Sequence, residues 1–551
     1  MSLSIQALTK RVPLFAAVAA AFVGLTNIAS TVTPNIRWRG HLLLEFEPVE
    51  AMRLFHALAL PAGAALLLVA PYLAKRRRRA ARTAVLLMLA LGLFDLLKGF
   101  DFEETILTWV VAIVLIVSRD AFTVRHDPNT LRSAVWRAPV LALSGLAVAM
   151  LAVWTGSHAS FGAVITETFD LVRYQPGPIH FHHHIPAGVH MLEVGTLLII
   201  AYVIFRPLAV SRAPASPAAR QVAADLVRAH GADTLAFFKL RSDGHYIFSE
   251  DRRAFVAYAI ENGVLLLSGD PVGPPDAIPG LLQQVRRFAD ARGLKVGALG
   301  ASERLLPVYE ELGLRTIYLG DEAVVELGRF SLEGRPIRKV RQSVTRLGKA
   351  GYRAELHDLR ALDQDTVARV EEVVEIGRQG APERGFSMAM DSLQGEHDHD
   401  TLVVLARDGA GAIRGVLHFV PCYGRAAVSL SFMRRDPATP NGLTEFLVVK
   451  AIELLRERGI DELSLNFAAF AKWMHSPDKR YERLLGKLIA LGNPFFQIES
   501  LYRFNAKFFP RWEPRFLVYE GPFGLPRAGI AAMWAEGQLP KPRIRRESAT
   551  R

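Results

Sequence analysis

The chain has 551 residues, 66 Lys and Arg against 54 Asp and Glu for a net charge of +12, 50% hydrophobic residues and a single cysteine. A mean hydropathy of +0.19 is too apolar for an ordinary soluble protein, and 22% charged residues is too many for a chain buried wholly in lipid, so a membrane part joined to a soluble part is expected. Cys422 has no partner within the chain, which excludes an internal disulfide framework and a cysteine-rich zinc site.

Apolar windows long enough, or nearly long enough, to cross a hydrocarbon core occur only before residue 207. They run over about 14–33, 55–74, 82–98, 104–118, 138–155 and 187–205, and six spans are expected within a membrane domain of residues 1–207. Lys10 and Arg11, the run Arg76-Arg77-Arg78-Arg79, Arg119 with Arg125, and Arg206 with Arg212 all fall on the cytoplasmic side if both termini face inward. The longest external loop, roughly 156–186, holds His180, His182, His183 and His184. Such density raises a metal site, but no cysteine or helical i, i+4 histidine pair accompanies it. A solvated or headgroup-facing loop without metal is therefore the expectation.

Residues 208–221 form a Pro/Ala/Ser linker, and beyond it strand and helix patterns alternate. Phe255–Tyr258 and Val264–Ser268 pair through a turn at Asn262-Gly263, followed by a helix at about 275–292, a strand at 295–299 and a helix at 302–312. The order then repeats: helix 364–378, strands near 401–407, 413–421 and 426–433, helix 442–458, strand 462–466 and helix 479–490. The fold class expected is thus an α-helical membrane bundle followed by an α/β domain of two tandem units, 222–335 and 336–530, with a basic tail at 531–551.

Three segments carry chemistry. On a helix at about 336–350, Arg338, Lys339, Arg341, Arg346 and Lys349 cover half the circumference while Val340, Val344 and Leu347 make an apolar stripe. A basic face of this kind suits phosphate, in nucleic acid or in anionic lipid headgroups; a merely solvated face is the competing reading. Segment 499–517 interleaves Arg503, Lys507, Arg511 and Arg515 with Tyr502, Phe504, Phe508 and Trp512, a pattern that can clamp phosphates beside bases or at a lipid interface. The turn Arg434-Arg435-Asp436-Pro437-Ala438-Thr439-Pro440-Asn441-Gly442 stands where an acyl-CoA enzyme needs a run of free amides, and its two prolines disfavour pyrophosphate. No Walker loop, dinucleotide fingerprint or G-x-S-x-G elbow is present, and no cofactor is expected.

Several motifs together resemble the phosphatidylglycerol lysyltransferase, or multiple peptide resistance factor, family. They are Ser268-Gly269-Asp270-Pro271-Val272-Gly273, Leu299-Gly300-Ala301-Ser302-Glu303, Tyr318-Leu319-Gly320-Asp321-Glu322-Ala323, Arg338-Lys339-Val340-Arg341-Gln342-Ser343, Phe386-Ser387-Met388, Leu465-Asn466-Phe467 and Tyr502-Arg503-Phe504-Asn505-Ala506-Lys507-Phe508. The resemblance covers about 230–522 and implies two tandem acetyltransferase-like units that move an aminoacyl group, usually lysyl or alanyl, from charged tRNA to phosphatidylglycerol at the inner membrane face. It further implies a short form without a flippase domain or a fused lysyl-tRNA synthetase. For such a transfer Glu499 is the candidate for proton transfer or amino-group binding, and Arg434, Lys507 and Arg511 for phosphate or oxyanion contacts. Arg338, Lys339, Arg341, Ser431, Asn466, Arg503 and Arg515 are the candidate substrate contacts. Relatives usually carry an acidic residue where Ser431 stands, which leaves the amino acid open. An acetyltransferase-fold enzyme acting on another membrane acceptor and a non-enzymatic lipid transporter or sensor remain alternatives.

Overall fold

A computed structural model describes residues 2–32, 49–99, 102–125, 128–157, 159–172, 177–179, 181, 185–205, 215–380, 385–393, 400–469 and 498–539. The chain divides into two compact units, one built on Met1–Ser211 and the other on Arg212–Ala289 and Leu294–Arg551.

The first unit is helical: α1 (Ser2–Val32), α2 (Val49–Ala74), α3 (Arg78–Gly99), α4 (Phe102–Val117), α5 (Pro128–Ser157), α6 (Phe161–Val172) and α7 (Ile185–Ile204). Every expected window falls on a helix. Arg11–Ser30, Trp136–Ser157 and Ile185–Ile204 are long and apolar enough to cross a membrane, and Pro61–Ala74 is a shorter apolar stretch. With 16 residues, α4 rises about 24 Å, short of a hydrocarbon core of about 30 Å. Packing follows the logic of an apolar solvent. On α1 the small residues Ala16, Ala17 and Ala20 are buried while Leu14, Phe15, Val18 and Phe22 point outward. A Cβ on Gly24 would lie 2.9 Å from the Gly63 carbonyl oxygen, so α1 and α2 meet backbone to backbone, as small residues permit. The expected loop at 156–186 is corrected in one respect: it contains α6, whose Val164 and Leu171 are buried. His180, His182, His183 and His184 lie outside the described residues.

Among the described residues the second unit is built on one sheet of eleven strands. They are β1 (His245–Phe248), β2 (Phe255–Glu261), β3 (Val264–Ser268), β4 (Lys295–Ser302), β5 (Leu314–Glu326), β6 (Arg353–Asp358), β7 (Leu402–Arg407), β8 (Ile413–Cys422), β9 (Ala427–Arg435), β10 (Glu462–Ala469) and β11 (Arg511–Glu520). Their order is β1-β2-β3-β4-β11-β5-β10-β9-β8-β7-β6. The turn at Asn262-Gly263 has φ of 49° and 72°, the positive pair that a tight hairpin demands. Moving outward from the β5–β11 pair, each side shows an antiparallel neighbour and then a parallel pair, β4 with β3 and β10 with β9. The halves are therefore pseudo-symmetric and exchange strands: β11 comes from the far end of the chain yet sits between β4 and β5.

Around the sheet lie α8 (Pro217–His230), α9 (Ile278–Arg292), α10 (Leu306–Glu311), α11 (Arg338–Lys349), α12 (Gln364–Arg378), α13 (Leu443–Glu457), α14 (Ile498–Ala506) and α15 (Leu525–Ala535). The expected helix at 479–490 lies outside the described residues. The largest core gathers Phe419, Leu430, Phe446, Leu447, Ile452, Leu463 and Phe508. Phe508 belongs to the aromatic segment expected to stack on bases or enter lipid. That expectation is corrected: Phe508 is buried, Phe504 and Trp512 pack on the same core, and Tyr502 stacks on Trp512 with ring centroids 4.7 Å apart. Burial removes Phe508 from any ligand and packing occupies part of the half-buried Tyr502, Phe504 and Trp512, because the segment is where β11 re-enters the sheet.

Candidate functional site

The parallel pair β9 and β10 holds register only over Ala427–Ser429 against Glu462–Ser464. Beyond it both strands depart from regular geometry. His418 pairs with Phe432 and Phe419 with Leu430, leaving Ser431 as a bulge, while β10 slips between Ser464 and Phe467 and Asn466 adopts φ of 68°. Bulges and positive φ at one level part the strands and re-aim their side chains. Segment 386–390 crosses at this level. The Asn466 amide donates to the carbonyls of Met388 at 2.5 Å and Leu430 at 3.0 Å, and the Met390 N–H donates to Ser431 Oγ at 3.0 Å. From the other side, Glu536 accepts from the Phe386 and Ser387 amides at 3.0 and 3.1 Å and from Ser387 Oγ at 2.6 Å, and Arg241 donates to Ala389 O at 2.8 Å. Ser431 and Asn466, both expected at the site, are thus brought together.

Arg515 is only 3% exposed. Its guanidinium donates to Asp233 at 2.7 and 3.0 Å, to Glu322 at 2.9 Å and to Thr234 at 3.1 Å, and Glu322 also accepts from Thr234 and Ser464. Burial alone would lower the Arg515 pKa, but the Asp233 and Glu322 carboxylates hold it well above the usual value. The same pairing keeps Asp233 well below the carboxylate range although burial pushes the other way. Beside them Lys239 is pushed down to about 8 by burial, against the pull of Asp233 and Asp270, and burial raises Asp270, whose carboxylate accepts from Ser302. The network joins β4, β5, β10 and β11 where the halves exchange strands, and Arg515 lies inside the domain, away from any surface a phosphate could reach. Sequence reasoning overlooked Asp233, Lys239 and Glu536; Asp270 and Glu322 lay within motifs that carried the family resemblance.

The remaining cations are dispersed. Lys507 pairs with Glu445 at 2.8 Å and lies over the Phe504 ring at 5.2 Å. Arg511 is bonded to Glu326, Glu462 and Glu513 at 2.8, 2.8 and 2.7 Å. Arg503 is exposed on α14, and the Glu499 side chain is outside the described residues. Half-buried Arg434, near the end of β9, donates to Met433 O at 3.0 Å. In the following turn the Ala438 and Thr439 amides already bond to Asp436, at 2.8 and 3.2 Å.

On α11 the stripe read from the sequence is real: Val340 and Leu347 are buried and Val344 packs beside them, while Arg338, Lys339, Arg346 and Lys349 are exposed. Arg341 donates to the carbonyls of Leu332 at 2.6 Å and Gly334 at 3.2 Å, and Arg346 to that of Asn441. Between them lies an open recess of about 420 Å³ lined by Arg341, Gln342, Thr345, Arg346 and Lys349. Gly442 (φ 89°) lets the preceding turn press close, since a Cβ there would stand 2.6 Å from Ser343 Oγ.

Residues 224–519, more than half the chain, match the family model described as phosphatidylglycerol lysyltransferase, C-terminal. The lysylphosphatidylglycerol biosynthesis bifunctional protein of Gordonia bronchialis is 32% identical over 483 residues, covering 82% of this chain and 41% of that protein. Its namesake in Mycobacterium marinum is 30% identical over 560 residues, covering 97% of this chain and 50% of that one. The chain thus spans about two fifths to one half of these relatives. Among solved structures, that of L-PGS from Bacillus licheniformis is 20% identical with a TM-score of 0.54, covering 61% of this chain and 100% of its own, which shows a shared fold. The C-terminal domain (DUF2156) of an Agrobacterium fabrum protein assigned as a lysylphosphatidylglycerol synthetase is 26% identical with a TM-score of 0.52, covering 59% of this chain and 98% of its own. The chain belongs to the phosphatidylglycerol lysyltransferase C-terminal family.

Proposed function

We propose that this protein is an integral-membrane aminoacyltransferase that moves an aminoacyl group, lysyl in the first instance, from aminoacyl-tRNA to phosphatidylglycerol. The observation that carries this reading is the family match over residues 224–519. In this reading the helical unit makes six spans, its arginine-rich turns face the cytoplasm, and the sheet unit comprises two acetyltransferase-like halves, 222–335 and 336–530, working against the inner leaflet.

The reaction exchanges one ester for another, so it needs neither ATP nor CoA. A glycerol hydroxyl of the lipid attacks the aminoacyl carbonyl, the bond to the tRNA ribose oxygen breaks, and the hydroxyl proton ends on that ribose oxygen. The chain must place the two reactants together, assist the proton and stabilise the oxyanion. We assign the gap between β9 and β10, with Ser431 and Asn466, to the aminoacyl group, Arg434 to a phosphate or the oxyanion, and Glu499 to the proton. Lys507 and Arg511, already held by carboxylates, and buried Arg515 serve mainly the scaffold.

Helix α11 and Arg503 take the tRNA. An interfacial lipid-binding helix offers large apolar side chains to the bilayer, whereas α11 commits Val340, Val344 and Leu347 to the core and leaves cations and amides outside. From Arg338 to Lys349 the stripe is about 16 Å long, enough for two or three successive phosphates. Changing Arg338, Lys339, Arg346 and Lys349 to Gln should weaken tRNA binding and flatten its salt dependence by about one logarithmic unit for each phosphate left without a cation. An unchanged salt slope would remove RNA from this face, and abolished vesicle binding with intact tRNA binding would give the face to lipid.

For the reaction itself, the full chain in vesicles containing phosphatidylglycerol should convert lysyl-tRNA or alanyl-tRNA into a ninhydrin-positive lipid whose mass identifies the amino acid. Failure with every charged tRNA tried would sink the reading. The product is less anionic, so cells making it should bind cationic peptides more weakly, by roughly 1 kcal/mol for each Lys or Arg of the peptide that no longer meets an anionic headgroup.

A further inference from the structure

On the face of the sheet that segment 386–390 covers, three polar side chains lie together on β8 and β9. His418 is 0% exposed and neither ring nitrogen has a hydrogen-bond partner; Ser429 is likewise 0% exposed and its Oγ has none. Both statements hold among the described residues. Ser429 stands across from Val420, two residues along β8 from His418, and Ser431 is the bulged residue beside Phe432, the partner of His418. A buried polar atom without a partner forfeits its solvation, and an apolar side chain of the same shape would remove that cost. A sheet selected only for stability would carry Leu and Ala here.

We propose that His418, Ser429 and Ser431 form the subsite that receives the amino group of the transferred aminoacyl unit. The inference rests on the aminoacyl-transfer reading and deepens it. The chemistry fits a donor of N–H bonds. The three are neutral acceptors at neighbouring positions of β8 and β9, and one of them, Ser431 Oγ, already accepts an N–H from Met390, the kind of donor the substrate would bring in its place. Burial holds the imidazole neutral, with a pKa pushed down to about 3, so it offers a lone pair instead of a second positive charge. The Phe432 ring, its centroid 5.0 Å from that of His418, adds a π face that an ammonium group favours. Asn466, bonded to both Leu430 and Met388, ties the crossing segment to β9.

The test uses the full chain in nanodiscs and two non-hydrolysable adenosines, one with an alanyl and one with a propionyl group in amide linkage at the 3′ position, which differ only in the amino group. Calorimetry on the wild type should show at least a tenfold preference for the alanyl compound. His418→Leu should reduce that preference below threefold while the thermal midpoint stays level or rises, and His418→Gln, which keeps an acceptor, should retain most of it. A His418→Leu protein that keeps the tenfold preference overturns the subsite, as does wild type that shows none. Should His418→Leu fail to fold, Ser429→Ala carries the same comparison, and an undiminished preference there overturns the proposal equally. Wild type that discriminates the adenosines yet aminoacylates no lipid leaves the subsite standing and removes the transfer reading. A wild type that makes the lipid, with a His418→Leu variant binding as wild type does, has the reverse consequence.

Discussion

The helical unit and the sheet unit use the same apolar residues in opposite ways. On α1 the alanines and a glycine face the neighbouring helix while Phe15 is 65% exposed; in the sheet Phe419 is fully buried between β7, β9 and α13. The difference lies in the solvent each surface meets. Lipid tails are as apolar as a leucine, so burying large side chains gains nothing there, and close backbone approach through small residues takes over. In water the same side chains drive the core, at about 25 cal/mol per Å² removed from solvent. Charge divides the units too: the sheet unit sustains a buried ionic network around Arg515 that aqueous folding has to complete without error.

The largest break in this contrast should come at Arg515. Arg515→Ala leaves Asp233 and Glu322 buried without their partner and should destabilise the sheet unit by about 3–5 kcal/mol; denaturant unfolding of the full chain, followed by a probe in that unit, measures it. A loss below about 1 kcal/mol would mean that water reaches the network. Next, Phe419→Ala should cost about 3–5 kcal/mol and Phe15→Ala no more than about 0.5 kcal/mol in a lipid-like medium. Equal costs would erase the distinction between the units. Within the helical unit the sensitive positions are the small ones: Gly63→Leu must push against α1 and should cost about 1–3 kcal/mol, seen as a lowered midpoint in detergent.

The smallest effect is a slope. His418 has a folded pKa pushed down to about 3 from an ordinary 6.5. Its contribution to stability is therefore complete above pH 6.5 and is lost as pH falls through about 3, by at most about 1.4 kcal/mol per pH unit. His418→Leu should flatten the acid limb of the stability curve over that window, and a parallel limb would show that the imidazole already titrates normally.

Much of this was legible in the chain. The six apolar windows all fall on helices, the Asn262-Gly263 hairpin is present, and Val340, Val344 and Leu347 turn inward on α11 while its cations turn out. These are local properties: a period of 3.6, a two-residue turn and a run of apolar residues each declare themselves within a short window. The resemblance was legible for a related reason, since its motifs are short stretches read in order.

What tertiary structure alone decided is which of the marked residues meet. Arg503, Lys507, Arg511 and Arg515 look alike in sequence, yet β11 carries Arg515 into the core beside Asp233, 282 positions away, while Arg511 stays at the rim among three carboxylates. Tyr502 and Trp512 turn one face of each ring to the other. Ser431 and Asn466 become neighbours of Met388 and Met390 only because β9 bulges, β10 slips and the segment between α12 and β7 crosses the gap. His418, silent in the sequence, matters because both faces of its strand are covered. Periodicity reports which side of an element is apolar; a strand order set by pairing across hundreds of residues decides what that side finally touches.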